Sequence, residues 1–289
     1  MKKLISLALI ASISNLLFIS SGTAQISTPK HINTPSIITA QIPNNIQNIA
    51  QNITVKVHVK DSRGSGILIA KKGQVYTVLT NAHVVNRDKP FRIQTPDGKF
   101  YNANLIKKGD SLNGDDLAIL QFKSNVNYQV AILGDSTKLS PNQDVYTAGF
   151  PYEKEQLKLN SGKISLIAEN PLKGGYQIGF TNDTEQGMSG GSILNSDGKL
   201  IGVIGMGAYA ILDDAYTYQN GKKPDQDTLK KLRELRFAVP IATITKIDGQ
   251  LISLLPKEPP KIQQKNYTGI VGDIDKIAEK ITVRIDVKN

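Results

Sequence analysis

Gln186-Gly187-Met188-Ser189-Gly190-Gly191-Ser192 decides how the rest of the chain is read. A serine flanked by glycines follows one extended segment, Tyr176 to Thr181, and precedes another, Ile193-Leu194. Glycine tolerates positive φ and carries no Cβ, so the chain can fold tightly around one exposed side chain. The same freedom lets backbone N–H groups converge on the oxygen that turns negative when a hydroxyl attacks a carbonyl. A turn rich in Gly and Ser has the same composition, so the stretch gains its meaning from partners elsewhere.

A serine hydroxyl needs a base beside it to become a nucleophile. The chain holds three histidines: His31, His58 and His83. His31 lies in a polar leader and His58 alternates within an expected strand. His83 sits in Leu79-Thr80-Asn81-Ala82-His83-Val84-Val85, at the end of the apolar run Val75 to Leu79. A carboxylate must orient such a base and fix its tautomer. Asp116 is the candidate, at the head of the apolar run in Asp115-Asp116-Leu117-Ala118-Ile119-Leu120. A carboxylate entering an apolar run is costly to bury without a partner, and a histidine N–H supplies one.

Thr80-Asn81-Ala82-His83-Val84-Val85, then Asp115 to Leu120, then Gly187 to Ser192 resemble the trypsin-like (chymotrypsin-fold) serine endopeptidases, with the bacterial high-temperature-requirement branch nearest. The order His, Asp, Ser is that of the chymotrypsin type. Three motifs in order are far more specific than one, and the resemblance covers roughly residues 53–241. It implies peptide-bond hydrolysis by Ser189 as nucleophile, His83 as base and Asp116 as orienting acid. Asp116 is preferred to Asp115 because the family places the acid directly before the apolar pair, here Leu117-Ala118; Asp115 is expected to be solvated. The backbone N–H groups of Gly187 and Ser189 would form the oxyanion hole. Gly205, Met206 and Gly207 would pair with the substrate backbone and line one wall of the first specificity pocket. Asp183, six positions before Ser189, would stand at the pocket floor and favour Arg or Lys, unless Arg236 reaches and neutralises it. Met188 stands where pancreatic-type members keep an aspartate that pairs with a freshly cut N-terminus, so no zymogen switch of that kind is expected. Activity should fall as pH drops through a value near that of free histidine, about 6.5.

The length, 289 residues, suits one large domain or two small ones. With no cysteine the chain has neither disulfides nor thiolate metal ligands. A formal charge of +10 and pI near 9.5 favour acidic surfaces, but no basic run is interleaved with aromatics, so nucleic acid is not an expected partner. Residues 1–24 read as an export signal: Lys2 and Lys3, an apolar stretch from Leu4 to Ile19, and small residues at Gly22-Thr23-Ala24. The protein is thus expected to be exported, to the periplasm or the medium, touching membrane only through that leader. Residues 25–47, broken by Pro29, Pro35 and Pro43, read as a linker.

From residue 48 short apolar runs alternate with turn signals, the texture of an all-β barrel protein. The expected fold is two antiparallel β-barrels of the chymotrypsin type, residues 48–125 and 126–255, with a closing helix over Ile241 to Leu255 weakened by Gly249. Thr95-Pro96-Asp97-Gly98 and Ser196-Asp197-Gly198-Lys199 are expected turns. Asp225 is placed to cap a short helix within a non-strand insertion, 208–234; that insertion either shapes access to the pocket or decorates the surface. The tail 256–289 contains an echo: Lys276 to Lys288 repeats the pattern of Asn48 to Lys60, as if a truncated second copy began there.

Protein or peptide substrates are the expected partners, with no cofactor. The acids around Asp110-Ser111-Leu112-Asn113-Gly114-Asp115 complete no calcium-loop spacing. An inactive protease fold kept for binding is the competing reading; a chaperone-protease has little sequence after Leu255 to house a peptide-binding module.

Overall fold

A computed structural model describes residues 41–256, except 61, 87–88, 209, 211–212, 250 and 252–254. The leader, most of the linker, His31 and the echo at 276–288 lie outside the described residues.

Among the described residues the strands form two sets of six. The first is β1 (Thr54–Val59), β2 (Ser62–Lys72), β3 (Val75–Thr80), β4 (Phe91–Gln94), β5 (Phe100–Lys108) and β6 (Ala118–Lys123). The second is β7 (Asp144–Gly149), β8 (Lys158–Leu172), β9 (Tyr176–Phe180), β10 (Ser192–Leu194), β11 (Leu200–Met206) and β12 (Arg236–Pro240). Each set closes into an antiparallel barrel, in the orders β1-β2-β3-β6-β5-β4 and β7-β8-β9-β12-β11-β10. The second barrel repeats the topology of the first strand for strand, and closure leaves neither sheet with an unpaired edge. The all-β, two-barrel fold expected from the sequence is the fold observed.

Three apolar cores explain the strand sequences. Val55, Val57, Val59, Leu68, Tyr76, Val78 and Leu120 fill the first barrel. Val145, Ile164, Ile178, Phe180, Ile193 and Ile201 fill the second. A third core lies between the barrels, where Ile67, Ile69, Leu79 and Ile119 of the first meet Leu194, Val203, Phe237 and Val239 of the second. Strands such as β2 and β11 therefore bury both faces. That is why they read as continuous apolar runs rather than alternating ones.

The sequence reading needs correction at two places, and at a third the structure rules out one of two open alternatives. Helix α1 (Asn44–Ile53) begins inside the stretch read as linker. Its residues Ile46, Ala50 and Ile53 are fully buried in the inter-barrel core. Asn and Gln give the helix little intrinsic propensity; packing of one apolar face holds it. The expected closing helix is shorter than read: a 3-10 turn at Ile241–Thr243, then the single turn α3 (Ile244–Ile247). The insertion is no surface decoration. It carries α2 (Gln226–Glu234), and its Tyr216 and Leu232 sink into the inter-barrel core.

Other local readings hold. Asp225 accepts from the Thr228 N–H and caps α2. Gly98 and Gly198 take φ of +80° and +76° in the two expected turns, where their N–H groups donate to Thr95 O and Asn195 O.

Candidate active site

His83 lies in the turn that leaves β3, and Asp116 lies two residues before β6. These strands pair directly, Thr80 opposite Ala118, so their ends deliver both residues to one rim of the first barrel. Asn81 Nδ2 donates to Asp116 O at 2.7 Å and fastens the two turns together. Asp116 is fully buried. Its Oδ1 accepts the backbone N–H of His83 at 2.8 Å, and its Oδ2 meets His83 Nδ1 at 2.5 Å. A proton on Nδ1 leaves Nε2 as the basic nitrogen of a ring that is 40% exposed.

The second barrel supplies two further contacts to the same acid. The Gly174 carbonyl accepts the Asp116 N–H at 2.8 Å. The hydroxyl of Tyr176, at the start of β9, donates to Asp116 Oδ2 at 2.5 Å. Asp115 is not solvated as the sequence suggested. Its side chain is 12% exposed, with Oδ2 3.8 Å from Lys246 Nζ, and it turns toward Gly175, away from the His83 pair.

Ser189 sits between β9 and β10, where three features shape its loop. Gly187 and Gly190 have φ of +97° and +85°. A Cβ on Gly190 would lie 2.1 Å from Ser65 O, and one on Gly187 would lie 2.5 Å from Tyr152 N. Both positions therefore require glycine for conformation and for space. Third, the peptide joining Gln186 to Gly187 is pinned: Gln186 O accepts the Tyr152 N–H at 2.6 Å. Its carbonyl thus faces the 150–154 segment and its N–H faces the other way. Among the hydrogen bonds of the described residues, the N–H groups of Gly187 and Ser189 have no acceptor. Ser189 Oγ donates to Gly205 O at 3.3 Å. The ladder from β11 to β12 shifts register between Ile204 and Met206, so Gly205 has no cross-strand partner there.

The two barrels are tied across this loop. Ser65 on β2 donates its N–H to Ser189 O at 2.8 Å and its hydroxyl to Gly187 O at 2.9 Å, and accepts from the Phe150 N–H. Arg63 reaches Glu155 Oε1 at 2.6 Å and also donates to the Tyr152 and Lys154 carbonyls. Lys56 pairs with the other Glu155 oxygen. Together Lys56, first, and Arg63 pull the Glu155 carboxyl down to about 2.

Asp183 does not form a buried pocket floor. Its side chain is 64% exposed and is neutralised by Lys158 Nζ at 2.8 Å and Arg236 Nη2 at 3.0 Å. The hydrogen bond from Lys158, above all, keeps its carboxyl below the ordinary carboxylate range. On the sequence reading Met206 pairs through its backbone. Its side chain packs in the inter-barrel core, which leaves only its backbone for a ligand. Nothing lies within 4 Å of a Cβ built on Gly207, so that position is open. Met188, fully buried, fills the second-barrel core. In the acidic stretch, Asp110 Oδ1 accepts the Leu112 and Asn113 N–H groups and shapes a turn.

Residues 64–203 match the family profile of the trypsin-like peptidase domain. The match covers 140 of the chain's 289 residues. The matched span holds His83, Asp116 and Ser189. The domain is 34% identical over 144 residues to the periplasmic pH-dependent serine endoprotease DegQ of Escherichia coli (strain K12), covering 48% of this chain and 30% of that protein. It is 28% identical over 158 residues to the serine protease HTRA1 of Xenopus laevis, covering 51% and 32%. Identity to the serine protease Do-like HtrA of Bacillus subtilis (strain 168) is 28% over 207 residues, 69% of this chain and 41% of that one. The chain thus spans between 30% and 41% of the length of these relatives.

Sequence reasoning missed Arg63, Ser65, Tyr152 and Tyr176. Only Tyr176 left a local trace, the paired glycines Gly174-Gly175 just before it.

Proposed function

We propose that the chain is a serine endopeptidase working through an acyl-enzyme. Ser189 Oγ attacks the carbonyl carbon of the scissile bond while His83 Nε2 takes the hydroxyl proton. The imidazolium gives that proton to the leaving amine, and Asp116 steadies its charge through Nδ1–H. Water then repeats the attack on the acyl group, freeing the acid and restoring Ser189. The oxygen that turns negative is held by the N–H groups of Gly187 and Ser189; one such donor is worth about 2.7–4 kcal/mol of barrier. To act as nucleophile the Ser189 hydroxyl must leave Gly205 O for the imidazole, a hydrogen bond of the kind that tightens once substrate is bound. Gly205 O is then available to the backbone of an extended peptide.

The single observation behind this reading is the buried Asp116 carboxylate 2.5 Å from His83 Nδ1. A surface ion pair of no function would not bury its acid completely. Protein or peptide chains are the substrates, and the paired Asp183 argues against selection for a basic residue. The leader at 1–24, together with a periplasmic relative, supports action outside the cytoplasm. With Met188 buried by packing, no second cut is needed for activity.

A fluorophosphonate probe tests the proposal directly. Wild-type protein should be labelled once, at Ser189, with labelling abolished in Ser189→Ala and strongly slowed in His83→Ala. A folded wild-type chain that takes no label would leave the binding-module reading, with the Ser189–Gly205 hydrogen bond as its settled state.

A further inference from the structure

Asp116 belongs to the first barrel, yet the second barrel grips it twice. Gly174 O holds its backbone N–H, and Tyr176 holds its side chain. The carboxylate accepts three hydrogen bonds: two from His83, through its backbone N–H and Nδ1, and one from Tyr176 Oη. The acid has no exposed surface, and these donors set its orientation.

We infer that Tyr176 is a positioning residue of the active site, its hydroxyl locking the Asp116 carboxylate in the plane that aims the His83 imidazole. This rests on the serine-peptidase reading given above. Two glycines, Gly205 and Gly174, make room for the ring. A Cβ on Gly205 would lie 2.3 Å from Tyr176 Cε1 and 2.7 Å from its hydroxyl oxygen. A Cβ on Gly174 would lie 2.7 Å from Cε2, and one on Gly175 would meet Asp115 Oδ1 at 2.3 Å. Gly174 and Gly175 also take φ of +81° and +78°, the turn that points the next residue at Asp116. Burial, and then the Asp116 charge, push the Tyr176 hydroxyl well above its ordinary range. It therefore stays protonated and can only donate here.

Removing that donor frees the carboxylate to rotate and makes it a stronger acceptor for the remaining N–H groups. Both effects reach His83 and leave the substrate cleft untouched. The predicted signature is a slower chemical step at unchanged affinity.

The test uses Tyr176→Phe in the full chain, which keeps the ring and loses only the hydroxyl. The first readout is the downfield proton resonance of His83 Nδ1–H, assigned by its loss in His83→Ala; it should move in Tyr176→Phe. The second is inactivation by the fluorophosphonate probe: the maximal rate should fall about tenfold, the usual scale for a hydrogen bond to a charged group, with the half-saturating concentration unchanged. The third is rescue. In Tyr176→Ala combined with Gly205→Ser, a hydroxyl enters the vacated space from β11, and the rate should recover above that of Tyr176→Ala alone. A resonance that stays put, or one that moves while the rate holds within about twofold, overturns the inference. So does a folded double variant no faster than Tyr176→Ala, and this arm decides the matter if Tyr176→Phe fails to fold. A wild-type chain that takes no label defeats the peptidase reading and with it the positioning role, whereas the resonance separately reports whether Tyr176 holds the Asp116–His83 pair.

Discussion

The two barrels share one topology but bring different materials to the cleft. The first contributes side chains: His83 and Asp116 are held by named donors and acceptors, and in the proposed mechanism each works through its own functional group. The second contributes mostly backbone: two free N–H groups, the carbonyl of Gly205, and a loop whose shape depends on glycines at 187 and 190. Ser189 is the exception, a side chain carried on that backbone device. The lesson is that the two halves should fail differently. An isosteric change should silence the first barrel without harming the fold, whereas adding a single methyl group should deform the second.

The largest expected effect tests the first half of that contrast. Asp116→Asn should cut the labelling rate by about 10⁴-fold, because the amide stabilises the wrong imidazole tautomer; a melting curve close to that of wild type would sharpen the comparison. Next is Gly190→Ala, which places a Cβ 2.1 Å from Ser65 O and 2.3 Å from Thr80 Oγ1 at φ +85°. It should cost about 3 kcal/mol of stability from strain and overpacking, read as a lowered urea midpoint. An unchanged midpoint would break the claim that the second barrel depends on its backbone. Arg63→Ala should be milder, slowing labelling about three- to tenfold through the loss of charge-assisted hydrogen bonds to the 151–155 segment. That segment pins Gln186 O through Tyr152, so the loss should fall on the maximal rate rather than on probe affinity. The smallest effect is the pH response of the Glu155 tie. Its carboxyl is lowered from 4.5 to about 2 in the folded protein. The tie therefore contributes fully above about pH 4.5 and fades as pH falls toward 2. Melting curves of wild type and Glu155→Gln should differ slightly at pH 6 and converge near pH 2.

The fold was legible because apolar runs punctuated by turn residues are local signals. Thr95 to Gly98 and Asn195 to Lys199 turn where Gly98 and Gly198 said they would. The His83–Asp116 pair was legible because each residue heads or ends such a run. What escaped the sequence was tertiary. Helix α1 is rich in Asn and Gln and exists only because the gap between the barrels accepts Ile46, Ala50 and Ile53. Asp183 sits at the expected spacing, but Lys158, 25 residues away in the chain, reaches it first. Tyr176 reads as an ordinary strand aromatic until Gly205, 29 residues later, is seen to leave space for it.

One strut deserves a mechanical reading. The hydrogen bonds from Ser65 to the carbonyls of Ser189 and Gly187 bolt a strand of one barrel beneath the nucleophile of the other. The halves cannot swing apart like a hinge without shearing those bolts and wrecking the loop that carries Ser189. Admission of a polypeptide must therefore come from the surface segments that border the groove, and its width is set before any guest arrives.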